Sequence, residues 1–349
     1  MSEVRVGWRQ VGLVFSLFAV AIVALMVGPA RAQSAQWVLK VASVAPDGTP
    51  WTEGLNRFKA SVWTASEKRL EVRVFSAGTL GDENETVIAT QRGQIQGVGA
   101  STGAIASLVP ELNVLELPYL FRDQKEADHV LDKVILQTME KAFEARGLVL
   151  GFWSENGYRS YGTNFGFVKS PDVLKGHKMR SQENPVHIGL YKALGASPVP
   201  IPTTEVLTSL QTGVVDGYDN TALFAQAAQW ASSTKYYTVT NHIYQPAAIV
   251  YNKAFFYSLP ADVQADLKSP RAGLMQEMRE EIRTLDTMLL DNFKAMKVQV
   301  YTLTAAERQT FDAPAKKARE EYIAKASPAE KALYAQITKG ITDYRATHK

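Results

Sequence analysis

No cysteine occurs in the 349 residues. That excludes disulfides, thiolate metal sites, cysteine nucleophiles and a lipid-modified amino-terminal cysteine, so the fold is held by core burial alone. Histidine is scarce as well, and the five present (His129, His177, His187, His242 and His348) show no metal-ligand spacing. His177 and His187 are expected at the surface or at a strand edge. Charge of one sign is also missing: 38 Lys and Arg stand against 35 Asp and Glu, interspersed along the chain. This gives no footprint for a nucleic-acid partner. Catalytic signatures are equally thin. Gly97-Val-Gly99 lacks the third glycine of a dinucleotide loop, and the glycines around Ser154 have the wrong offsets for a nucleophile elbow. No internal repeat or low-complexity tract is present.

One long apolar run exists, from Val11 to Val27. Arg5 and Arg9 precede it, and Pro29 and the small-residue site Ala30-Arg31-Ala32 follow, which is the layout of a cleaved secretory signal over residues 1–32. An uncleaved membrane anchor is the other reading of the same run. Removal leaves 317 residues, enough for two lobes of ordinary domain size, and lowers the net charge from +3 to +1.

Along the mature chain, Val38 to Ser43, Val72 to Phe75 and Ile95 to Ala100 are β-rich. The first helix between them is capped by Thr49 with Pro50 in its first turn, and the next opens on an Asp82/Glu85 capping box. Asp123 and Glu126 repeat that signal before a helix expected from Gln124 to about Arg146. Leu148 to Trp153 then form an apolar strand buried on both faces. A single long helix is expected after Ser269-Pro270, with Leu274, Met278, Ile282, Leu285, Leu289, Phe293 and Met296 on its stripe and Pro270 at its start. Thr304 to Lys349 is expected to form two amphipathic helices covering the second lobe. Alternation of strand and helix indicates an α/β class with a mainly parallel sheet.

The segment from Lys175 to Asn220 carries the binding chemistry. His177 to Met179 form a short strand, Pro185 opens a helix with Val186, Leu190, Ala193 and Leu194 at helical spacing, and Gly195 ends it. Arg180 and Asn220 then fall at the carboxyl ends of neighbouring strands, where ligands dock in open α/β sheets. A guanidinium held on rigid backbone grips a carboxylate through two parallel hydrogen bonds. Each charge-assisted bond contributes about 1.5 to 3 kcal/mol net, a large share of the roughly 8 kcal/mol that a micromolar ligand requires.

The same segment, LKGHKMRSQENPVHIGLYKALGASPVP followed by TTEVLTSLQTGVVDGYDN, resembles the signature of the DctP-like extracytoplasmic solute-binding proteins of tripartite ATP-independent periplasmic (TRAP) transporters. APDGTPW, SAGTLGDENE, LPYLF, GYRSYGTN and TNHIYQPAAIVYNKAFFYSLP have counterparts in the same order. The resemblance implies a two-lobed periplasmic-binding-protein fold with a ligand cleft between the lobes and a long helix bracing both. It places residues 36–156 and 246–285 in lobe I and residues 157–245 and 286–349 in lobe II. The implied function is capture of a small organic acid by closure of the cleft and its delivery to TRAP-type membrane permease subunits, in the periplasm, with no cofactor and no catalysis. Two other readings are a periplasmic sensor for a membrane receptor and a hydrolase or isomerase on the same scaffold.

By the resemblance, Arg180 is the carboxylate clamp, Arg159 assists it and Asn220 completes the grip. Trp51, Glu83, Ser101, Thr102, Trp153, Glu155, Thr204, Phe224 and Tyr244 lie at positions similar to pocket-lining positions of the family. The four aromatics favour a flat or apolar ligand portion, Glu83 and Glu155 an amino or hydroxyl group, and Asp219 adds a carboxylate beside Asn220. Arg159 taken alone also reads as a solvated salt bridge, and Glu83 as a first-turn capping acid.

Overall fold

The computed structural model describes residues 35–269 and 273–348. The secretory segment and the placement of Pro270 lie outside the described residues. Among the described residues, nine strands form one mixed sheet in the order β2-β1-β3-β8-β4-β7-β5-β6, with β9 against β8. Their ranges are β1 Trp37–Ala42, β2 Leu70–Phe75, β3 Gly97–Ser101, β4 Leu148–Thr163, β5 Lys178–Ser181, β6 Ser197–Pro200, β7 Gly217–Asn220, β8 Tyr236–Asn252 and β9 Gln299–Thr302. β1 runs parallel to β2 and β3, and β5 runs parallel to β6 and β7. Two βαβ-type halves are thus joined by the antiparallel pair β4 and β8, which are 16 and 17 residues long and pass through both lobes.

Side chains alternate between the two sheet faces, and each lobe therefore has two cores. In lobe I, Val98, Leu150, Ala248 and Val250 face one core. Leu39, Val41, Val149, Ile249 and Tyr251 face the other. In lobe II, Tyr161, Met179 and Ile243 fall on one side, and Tyr218 and Tyr237 on the opposite side.

Helix α1 (Pro50–Ala65) carries the expected cap, with Thr49 and Thr52 satisfying each other's backbone amides. At α2 (Glu83–Gln91), the Asp82 amide donates to Glu85 at 3.0 Å. In α3 (Pro185–Ala193), Asn184 caps the first turn and Val186, His187, Leu190 and Tyr191 are buried.

Three expectations are corrected. The helix begun at Gln124 is interrupted by a π turn over Val130–Val134, closed by the Ile135 amide on the Val130 carbonyl at 3.0 Å. Leu131, Ile135, Met139 and Phe143 are all buried at steps of four. Four residues overshoot an α turn, and the wider π turn takes up that drift. The bracing helix is two helices, α4 (Leu274–Thr284) and α5 (Asp286–Ala295), with Leu285 as a turn between them. α4 packs on α1 and β4 of lobe I, whereas α5 packs on β9 and the helix Ala222–Ala227 of lobe II. The brace is therefore segmented at the passage between lobes. Of the tail helices, α6 (Asp312–Lys325) packs on α3 of lobe II, but α7 (Pro328–Thr347) packs on lobe I. Its Leu333, Ile337 and Ile341 join the cluster around Val130 and Leu131. The stripe showed that α7 is amphipathic, but not which lobe it covers.

Candidate functional site

A cleft opens where the carboxyl ends of the β-strands of the two lobes meet, the place where ligands dock in open α/β sheets. Arg180 is carried on β5 and is 2% exposed. Its Nε and Nη2 donate to the Ile201 carbonyl at 3.0 and 2.8 Å, and its guanidinium lies 5.2 Å from the Trp230 ring centroid. No carboxylate among the described residues pairs with it. Burial and the neighbouring Arg159 push its pKa down to about 10. The site holds a positioned, desolvated cation with its second terminal nitrogen left for the cleft.

Arg159 is fixed differently. Its Nε donates to Asp219 Oδ2 at 2.6 Å and its Nη2 to the Asp219 carbonyl at 2.5 Å. Its Nη1 donates to Gln245 at 2.8 Å and Asn220 at 3.3 Å. Burial resists ionisation of Asp219, but Arg159, and after it His242, outweigh that and hold its carboxyl well below the usual range. Tyr191 adds a hydrogen bond to Asp219 at 2.9 Å. The pair is 3% and 1% exposed, so it is a buried ion pair and not a solvated one. Arg159 thus orients its neighbours. Asn220 Oδ1 accepts from Arg159 and from the Thr221 amide at 2.8 Å, leaving its NH₂ for the cleft.

Of the residues singled out in the sequence, Arg180, Arg159, Asn220, Trp51, Glu83 and Phe224 line this cleft. Trp51 is anchored there by its indole nitrogen on the Glu155 carbonyl at 3.0 Å. Both oxygens of Glu83 accept from Ser101, one from the amide and one from the hydroxyl, each at 2.8 Å. Burial, with Asp82 and Glu116 nearby, pushes the Glu83 carboxyl up to about 7.

The other six lie outside the lining. Glu155 is fully buried and takes Arg283 of α4 at 3.0 Å and the Tyr244 hydroxyl at 2.7 Å, so both Glu155 and Tyr244 turn away toward the brace. Trp153 packs edge-on to Phe143 in the lobe I core. Ser101 stands behind Glu83. Thr102 donates to Glu116 at 2.6 Å. Thr204 gives its amide to Asp82 at 3.3 Å, while its neighbour Thr203 lines the cleft.

Asn156, Gln182, Gln245 and Ser43 line the cleft without having been singled out. Gln182 had a readable signal, two residues beyond Arg180 on the same strand face. It donates to Ser101 at 2.8 Å across the lobes and accepts from Gln245 at 2.8 Å. His187 is not at the surface as expected. It is 1% exposed, one residue after Val186 on the inner face of α3, and shares a 2.6 Å hydrogen bond with Glu116. Among the described residues no His, Asp and Glu group is arranged to hold a metal, and no helix is long and apolar enough to cross a membrane.

A family model described as bacterial extracellular solute-binding protein, family 7, matches residues 41–326. A solute-binding protein of Verminephrobacter eiseniae is 40% identical over 63% of this chain and 66% of its own. The 2,3-diketo-L-gulonate-binding periplasmic protein of Escherichia coli is 29% identical over 76% of this chain and 81% of its own. A crystal structure of a TRAP periplasmic solute-binding protein from Bordetella bronchispeptica, with density interpreted as pantoate, superposes with a TM-score of 0.80. It is 31% identical and covers 86% of this chain and 99% of that one.

Proposed function

The chain belongs to family 7 of the bacterial extracellular solute-binding proteins, and from that premise we propose that it binds a small organic acid through Arg180 and delivers it to a membrane permease. The observation that carries this reading is the buried Arg180 guanidinium, held on the Ile201 carbonyl without a carboxylate partner among the described residues. A buried charge is costly unless paired, and a ligand carboxylate supplies the missing pair. Asn220 and Thr203 also line the cleft, Thr203 with its hydroxyl 3.4 Å from Arg180 Nη2. The organic acids named for the Escherichia coli and Bordetella proteins fit this class.

Two lobes surround the ligand, and groups from both contribute to the lining: Trp51 and Glu83 from lobe I, Arg180, Asn220 and Phe224 from lobe II. A ligand that touches both lobes binds the closed form more tightly and draws the equilibrium toward it. Closure removes water from the clamp and strengthens it. The protein then presents a loaded, closed shape to its membrane partner outside the cytoplasm.

The test is a thermal-shift screen of the protein with organic acids, each matched to its own amide. At about a thousand times its Kd a ligand stabilises by about 4 kcal/mol, or several degrees. Acids are expected to shift the melt and amides not. Arg180→Met is expected to fold normally and to lose the acid shift. Retention of the full shift by that variant would remove Arg180 from the binding role.

A further inference from the structure

Among the described residues, three charged side chains line the cleft: Glu83, Arg159 and Arg180. Arg159 is already neutralised by Asp219. That leaves Arg180 and Glu83, neither of which makes an ion pair among the described residues, with each other or with any other group. The cleft is therefore bipolar, with one uncommitted cation on the lobe II wall and one uncommitted carboxyl on the lobe I wall.

The carboxyl end is built as firmly as the cationic one. Ser101 holds each oxygen of Glu83 at 2.8 Å. A carboxylate has about four acceptor positions, so each oxygen keeps one for the cleft. Burial comes first in lifting this carboxyl to about 7, and Asp82 and Glu116 add to it. This surrounding resists further negative charge. Asn156 and Gln182, also in the lining, are neutral amides with donor and acceptor positions left for hydroxyl groups, whereas Gln245 spends both amide hydrogens on Glu116 and Gln182 and its oxygen on Arg159 and Asn156.

We infer that the site selects hydroxy monocarboxylates, with the carboxylate on Arg180 and a hydroxyl donating to Glu83, and that Glu83 is the residue that rejects dicarboxylates. The inference rests on the proposed role of Arg180. A second carboxylate reaching across the cleft meets a like charge and finds no second free cation, and like charges placed together oppose binding strongly.

Calorimetry at pH 8 on pairs of equal carbon number tests this: D-galactonate against D-galactarate, D-gluconate against D-glucarate, and 4-hydroxybutyrate against succinate. In the parent protein at least one hydroxy acid is expected to bind about 100-fold more tightly than its diacid. Glu83→Gln, which keeps the shape of the side chain, is expected to narrow that ratio to about 10-fold or less by strengthening the diacid. Its thermal melt reports whether the variant is folded. Arg180→Met is expected to lose both members of each pair. A diacid bound as tightly as its hydroxy partner, or a ratio left unchanged by Glu83→Gln, overturns the assignment of Glu83 while the carboxylate reading stands. If no acid binds, or Arg180→Met binds them all, the underlying reading fails and this inference fails with it.

Discussion

At the scale of single residues, the site turns on which charges are paired. Asp219 and Arg159 are both buried and are held 2.6 Å apart, so Asp219→Asn leaves a guanidinium buried without its counter-charge. Breaking such a pair typically costs about 3 to 5 kcal/mol. Urea unfolding of Asp219→Asn should show a loss of that order, and a loss below about 1 kcal/mol would mean that Arg159 finds another partner. Arg180 was legible as a candidate because its strand, its helix and its motif pointed to one place. The difference between the two arginines was not legible. Arg159 and Asp219 are distant in sequence and meet because β4 pairs with β7 in a register that sets Tyr161 beside Asp219 and Ser160 beside Asn220. Glu155 shows the same limit. A carboxylate next to the cleft in sequence is claimed by Arg283, 128 residues later.

At the scale of elements, local signals fared better than long-range ones. Caps at Thr49, Asp82 and Asn184 are where residue chemistry places them, since a cap satisfies amides within its own turn. Breaks inside helices were missed. Neither Leu285 nor the π turn at Val130–Val134 has a glycine or proline to announce it, and both arise from the surfaces the helices must follow. The docking of α7 on lobe I is likewise a tertiary choice. Ile337 is fully buried there, and Gly340 lies so close to Val134 that an added Cβ would come within 2.7 Å of it. Ile337→Ala should therefore destabilise the protein by about 2 to 5 kcal/mol. Chemical denaturation checks this, and a change under about 0.5 kcal/mol would show that α7 is not part of the lobe I core.

At the scale of the whole molecule, the lobes meet directly at the lip of the cleft. Asn84 of α2 donates to Glu183 at 3.1 Å, Thr204 to Asp82 at 3.3 Å and Gln182 to Ser101 at 2.8 Å. Each bond joins one lobe to the other, so each favours the form in which the lobes are together. Asn84 is outside the cleft lining, and Asn84→Ala removes one lip contact without touching a ligand. A net hydrogen bond of about 0.5 to 1 kcal/mol corresponds to a loss of roughly two- to five-fold in affinity. Calorimetry with whichever acid binds the parent should show that loss, chiefly as faster release in stopped-flow. Unchanged affinity would mean that the lip adds nothing to closure.

Between the lobes the chain runs as two pleated strands, β4 and β8, hydrogen-bonded to each other on both sides of register shifts at Glu155/Gly157 and Arg159/Tyr161. A pair of loose linkers would let the lobes swivel and slide in many directions. A laddered ribbon behaves instead like a leaf spring, stiff to sideways shear and compliant to bending across its flat face, and β-bulges bend the strand that carries them. Under the proposed function, such a ribbon would confine closure of the lobes to nearly one direction. A solute-binding protein guided in this way would offer its recipient the same profile each time it is loaded.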